Sequence, residues 1–188
     1  AGVFSTPDTT TQDGIDVRFA VNTIAPYLLT QRLLPLLGHS ARVINLSSAA
    51  QSPVNLQALA GQGPSLSDNA AYAQSKLALT MWSRSLAQSI KDKGPVIVAV
   101  NPGSLLATKM VKDAYRVAGA DVGIGAGILV RAALDESFAS ASGKYFDNDQ
   151  GQFAAPHRDA LDAKKTKDVV RAIETILAHA GQEGKNHV

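Results

Sequence analysis

Tyr72 and Lys76 stand four residues apart in Tyr72-Ala-Gln-Ser-Lys76, on what reads as the first turn of a helix, so a phenol and an ammonium share one face. A phenol titrates near pH 10 and is a poor base at neutral pH; a neighbouring positive charge favours the phenolate and turns the pair into a proton-transfer device. Alone the spacing is weak, because four tyrosines and an ordinary lysine frequency produce it by chance about one time in five. The bland alternative is a half-buried tyrosine beside a solvated lysine. Three further groups change the weight of the pair: Asn22 in a long helical stretch, Ser47-Ser48 at the end of a strand, and Asn101-Pro-Gly103 at the end of another.

The elements that must carry these residues are legible from periodicity. Apolar residues from Ile15 to Leu37 recur at helical spacing between about Asp13 and Leu37, with Pro26 and Pro35 placed to bend or end the helix. Residues 41–47 read as a buried strand, and 49–69 as an irregular connection with a turn of helix at Leu56 to Ala60. A helix capped by Asp68 or Asn69 should run to about Lys91, where Gly94-Pro95 stops it. Val96 to Val100 is apolar on both faces, as a central parallel strand requires. Ser104 to Val122 reads as a loop with short helices, Ile124 to Leu134 as a helix, Gly143-Lys-Tyr-Phe146 as a last short strand, and about Ala160 to His179 as a final helix before a frayed tail of about 180–188. Ala1-Gly2-Val3 looks like the end of a strand. Alternating strands and helices predict one α/β domain over 1–188 with a doubly wound parallel sheet. The carboxyl ends of such strands share an edge, which gathers Ser48, Tyr72 and Gly103 where open sheets bind ligands.

Composition excludes several classes. A formal net charge of +2, spread along the chain, gives no nucleic-acid footprint, and the absence of cysteine removes disulfide, thiolate-metal and cysteine-nucleophile chemistry. No apolar run reaches the length of a membrane span and no signal peptide opens the sequence, so no membrane partner and a cytoplasmic location are expected. The four histidines form no short-spaced ligand pair, so no metal is expected. Asp147-Asn-Asp149 has two carboxylates of a calcium loop without the remaining spacing, and reads as a turn.

Taken in order, the motifs resemble the short-chain dehydrogenase/reductase family. The resemblance runs from Ala1-Gly2, similar to the tail of the family's Asn-Asn-Ala-Gly turn, through Phe19-Ala-Val-Asn22, Val43-Ile-Asn-Leu-Ser-Ser48, the Tyr72–Lys76 motif and Asn101-Pro-Gly103, to Ser142-Gly-Lys-Tyr-Phe146. It implies a Rossmann-like fold and an oxidoreductase that moves hydride between NAD or NADP and a carbonyl or alcohol. Under it Tyr72 is the general acid or base, and Lys76 lowers its pKa and holds the nicotinamide ribose. Ser48 holds the substrate oxygen, with Ser47 as competitor; Asn22 stabilises a helix kink and places a water toward Lys76. Ala1, Gly2, Tyr72, Lys76, Pro102, Gly103 and Thr108 would contact the cofactor. The rival is a catalytically silent member or fragment serving as a binding or regulatory module.

Departures from the family pattern carry expectations too. Thr108 lies five residues after Gly103, where the family usually has four. Ser48 and Tyr72 are 24 positions apart, so Gln51 to Asn69 is an insertion, similar to the carbonyl-reductase and retinol-dehydrogenase branches. It is expected to roof the substrate pocket together with Ser104 to Val122, or to occupy the helix surface many members use to form homodimers. The apolar side chains Leu105, Leu106, Met110 and Tyr115 favour an apolar small-molecule substrate. The family's Thr-Gly-x-x-x-Gly-x-Gly phosphate turn has no counterpart in the chain, and Gly119 to Gly127 reads as a lead-in to a helix. With no initiator Met, the chain is expected to be the C-terminal two-thirds of a longer protein, its N-terminal strands supplied by that protein or by another chain.

Overall fold

A computed structural model describes residues 2–183; the roles expected of Ala1 and the end of the tail beyond 183 lie outside the described residues. The first helical stretch begins later than Asp13, because Thr11 Oγ1 accepts from the Ile15 N–H in a turn and Asp16 then caps α1 (Val17–Phe19) by accepting from the Arg18 N–H. A π-helical turn, Ala20–Ile24, follows and passes into α2 (Ala25–Leu33). Pro26 has no N–H to return to the preceding turn, which suits the widened geometry before it, and Pro35 falls in the closing 3-10 turn Leu34–Leu36.

Then come β1 (Arg42–Leu46), the short α3 (Leu56–Leu59), and α4 (Asp68–Ile90). Ser67, one residue upstream of Asp68 and two upstream of Asn69, caps α4 by accepting from the Ala70 N–H, which moves Tyr72 into the second helical turn. The chain continues through β2 (Val96–Asn101), α5 (Lys109–Tyr115), α6 (Val122–Leu134), β3 (Tyr145–Asp147), β4 (Gln152–Ala154) and α7 (Ala163–Glu183).

The sheet order is β1-β2-β3-β4, parallel across the first three strands and antiparallel at the last pair. Two strand expectations are corrected. Gly2 and Val3 form no strand, since no neighbouring strand lies beside them among the described residues; the Asn22 amide takes both backbone groups of Val3 instead. The strand at 145–147 is not the last, because the polar turn to Gly151, at φ +68°, returns the chain as β4. Three residues of β4 are too few to show alternation.

Central strand β2 separates two cores. Ile97 faces Leu77, Trp82 and Ile173 on one side, while Val98 and Val100 face Ile128, Phe138 and Phe146 on the other. Each such fully buried side chain is worth about 1.5–3 kcal/mol. Helix α4 is buried without a break from Gln74 to Ser83, between α1, α2 and the π turn, the sheet, and α7. On the opposite face α6 buries Gly125, Ile128 and Ala132 and leaves Ile124, Val130 and Leu134 exposed, the last at 76%.

Candidate active site

Past the carboxyl ends of β1 and β2 lies a cleft of about 560 Å³. Ser48, Tyr72, Lys76, Pro102, Gly103 and Thr108 line it, with Gly2 on its floor and Phe4, Leu105, Leu106, Met110 and Tyr115 forming apolar walls. Seven residues expected from scattered motifs, Gly2 among them, thus meet in one place, whereas Asn22 does not line the cleft. The insertion after Ser48 does not roof the cleft: Gln74 Oε1 on α4 accepts from the Asn55 N–H, and Ala58 and Leu59 sink into the core shared with α4 and α7. The segment from Ser104 to Tyr115 forms most of the apolar wall, with Phe4 beside it.

Tyr72 packs its ring 5.1 Å from Phe4, which lies 5.4 Å from Tyr115. Lys76 Nζ sits 5.6 Å from the Tyr72 ring centroid and donates to the Leu46 carbonyl at 2.8 Å. Burial pulls the Lys76 pKa down to about 8, and the residue is 5% exposed. Burial likewise pushes the Tyr72 phenol up, against a lowering hydrogen bond with Ser48 and with a further push from Tyr115. The expected net lowering of Tyr72 by Lys76 is therefore absent: withdrawing the phenolate from water costs more than the partners return.

The two serines part company. Ser47 turns into the core, 3% exposed, with its hydroxyl 2.6 Å from Thr80 Oγ1. Ser48 faces the cleft beside Tyr72; its hydroxyl accepts from the Ala50 N–H, and its carbonyl accepts from the Tyr145 hydroxyl at 3.1 Å and Gln51 Nε2 at 2.9 Å. Asn22 lies in the π turn between α1 and α2. Its Oδ1 accepts from the Val3 N–H, and its Nδ2 donates to the Val3 carbonyl and to Ser75 Oγ. That arrangement ties the segment at Gly2 and Val3 to α4.

Gly103 adopts φ +129°, a conformation side chains resist, which brings its backbone to the cleft surface. Thr108 accepts from the Val111 N–H and caps α5 at the rim. Sequence reasoning did not find Phe4, Tyr145 or Gln51. Phe4 carried no motif signal, and Tyr145 reaches Ser48 across 97 residues of chain.

Residues 1–119 match the family model described as short chain dehydrogenase. Human retinol dehydrogenase 13 is 30% identical over 177 residues, spanning 85% of this chain and 54% of the relative. Human polyprenol dehydrogenase is 38% identical over 113 residues, 55% of this chain and 34% of that one. Among solved structures, the NADPH-bound carbonyl reductase from chicken fatty liver superposes with a TM-score of 0.59 at 28% identity, covering 83% of this chain and 63% of that chain. A protein from Mycobacterium paratuberculosis gives 0.73 at 24% identity over 93% of this chain and 63% of its own, a likeness of fold. The chain spans about half the length of the human retinol dehydrogenase it matches.

Proposed function

The chain belongs to the short-chain dehydrogenase family, and from that membership we propose that the protein interconverts a carbonyl and an alcohol with a nicotinamide cofactor, Tyr72 moving the hydroxyl proton. The observation that carries the reading is the cleft in which the Tyr72 phenol meets the Ser48 hydroxyl with the Lys76 ammonium beneath. The cofactor would supply or take up hydride at the substrate carbon. Ser48 donates to the substrate oxygen and holds it at Tyr72, and Tyr72 gives its proton as that oxygen gains charge. A phenol whose pKa is raised by burial keeps its proton at neutral pH, which suits carbonyl reduction. In the oxidation direction Tyr72 works as a base, and Lys76 supplies the positive charge that favours the phenolate.

The nicotinamide and its ribose fit the residues present: Lys76 offers ammonium donors, Thr108 a hydroxyl, and Gly2 and Gly103 allow close backbone approach. The pyrophosphate and adenosine would be held by residues elsewhere, and NAD and NADP are equally compatible with the groups in the cleft. The apolar wall of Phe4, Leu105, Leu106, Met110 and Tyr115 suits a long or aromatic apolar substrate. Retinol and polyprenol, the alcohols in the names of two relatives, have that character.

A second reading is a catalytically silent binding module. Lys76, donating to the Leu46 carbonyl rather than pointing free into the cleft, gives it some weight. Fluorescence titration of the full-length protein with NADH and NADPH separates the two. Saturable binding with turnover of an apolar ketone or aldehyde supports the oxidoreductase; no binding of either cofactor leaves the silent module.

A further inference from the structure

The sequence marks Asp147-Asn-Asp149 as a turn with two carboxylates and no assigned purpose. In the structure it lies against the Pro102-Gly103-Ser104 turn that borders the cleft. Asn101, at the end of β2, donates from Nδ2 to Asp147 Oδ1 at 2.9 Å and to Asp149 Oδ2 at 2.8 Å. Asn101 Oδ1 accepts from the Gly103 N–H at 3.3 Å. Asp149 Oδ1 accepts from the Ser104 N–H at 2.8 Å and its Oδ2 from the Ser104 hydroxyl at 2.5 Å. Asn148 completes the contact, donating from Nδ2 to the Pro102 carbonyl at 2.9 Å and from its backbone to the Asn101 carbonyl at 3.1 Å. Pro102 and Ser104 are thus tethered directly to the neighbouring turn, and Gly103 is tied to Asn101, which itself holds both carboxylates.

The carboxylates are used up by this work. Asp147 Oδ1 also accepts from the Asp149 N–H, and Asp147 Oδ2 accepts from Gln150 Nε2. All four oxygens thus serve protein donors, which accounts for two adjacent acids better than a cation would. The tethered turn needs holding: Gly103 has φ +129° and Leu105, with a side chain, has φ +49°. Burial raises the Asp149 carboxyl, but hydrogen bonds from Ser104 and Asn101 outweigh it and keep the group below the usual carboxylate range, hence ionised and accepting.

We propose that Asp149 is a positioning residue for the cofactor, bracing the turn after β3 against Pro102-Gly103-Ser104 so that this backbone stands at the height the nicotinamide requires. The proposal rests on the oxidoreductase reading. It predicts a split between binding and chemistry, because Ser48, Tyr72 and Lys76 stand on other elements. In the full-length protein Asp149→Ala should raise the cofactor Kd and KM about tenfold while kcat stays within about threefold, the size expected for losing hydrogen bonds to a charged acceptor. Asp149→Asn, which keeps one acceptor oxygen, should fall between the two. If Asp149→Ala does not fold, Ser104→Ala removes a single tether and should raise Kd about threefold. A cofactor Kd within about twofold of the wild type in the folded variant, whatever happens to its Tm, overturns the brace. Should the wild type bind no nicotinamide cofactor, the oxidoreductase reading fails, and amide hydrogen exchange at Gly103 to Leu105 then decides: faster exchange in Asp149→Ala supports the brace, and unchanged exchange overturns it.

Discussion

Lys76 is a cation in a place that penalises charge, and the sign of its contribution follows. Its folded pKa of about 8 lies below the ordinary 10.5, so between those values the unfolded chain holds a proton that the folded chain has released, and stability rises with pH across that window. Below pH 8 the full penalty, about 3 kcal/mol, is present. Lys76→Met should therefore gain roughly 2 kcal/mol at pH 7 after losing the Leu46 hydrogen bond, and urea midpoints should lose their rise between pH 8 and 10.5. Tyr27 and Tyr72, both raised by burial, act the other way only above pH 10, where their contribution is lost as they ionise. The serines make a second test: Ser48→Ala should cut kcat/KM about a hundredfold with Tm near wild type, whereas Ser47→Ala should cost about 1–3 kcal/mol and leave turnover nearly intact. Equal effects of the two would contradict the geometry. At this scale the sequence revealed the helical pair Tyr72 and Lys76, since four residues of helix is a local relation. The rise in the Tyr72 pKa was invisible, because burial is set by Phe4 and Tyr115, far away in the chain.

Helix α4 carries the proton-transfer pair, and α7 with α3 of the insertion completes the core around it. Trp82, the single tryptophan, lies fully buried in that core with its ring edge-on to Tyr27 at 5.5 Å. Ile173→Ala on α7 or Leu59→Ala on α3 should each cost about 2–5 kcal/mol, with Trp82 emission shifting to the red at a correspondingly lower urea concentration. An unchanged midpoint would mean that α7 and α3 do not support α4. Most elements could be read because strands β1 and β2 and helix α4 each have enough residues to show their period. The exceptions are short or depend on partners: β4 is three residues long, and Gly2-Val3 lacks a neighbouring strand. Which of its two expected destinations the insertion takes was also not legible, since Asn55 and Leu59 take their meaning from α4 and α7.

The molecule as described leaves β1 at the edge of the sheet and several large apolar residues in water, among them Leu29, Leu36, Val130 and Leu134. We attribute this to surfaces that further residues of the whole protein, or a second chain, would cover. The 188-residue chain alone should self-associate at micromolar concentration in sedimentation velocity, and a sharp monomer with cooperative melting would contradict that attribution. The family and the cleft were legible because ordered motifs at strand ends converge by the geometry of any parallel sheet. The brace between Asp149 and Ser104 was not, since it joins two turns 45 residues apart. The central claim is that Tyr72 moves the proton. Its most direct test is single-turnover reduction of an apolar ketone or aldehyde by full-length Tyr72→Phe, with cofactor Kd measured alongside. The account predicts a loss of about a thousandfold or more in rate with Kd within about twofold of the wild type; a rate within about tenfold of the wild type would contradict it.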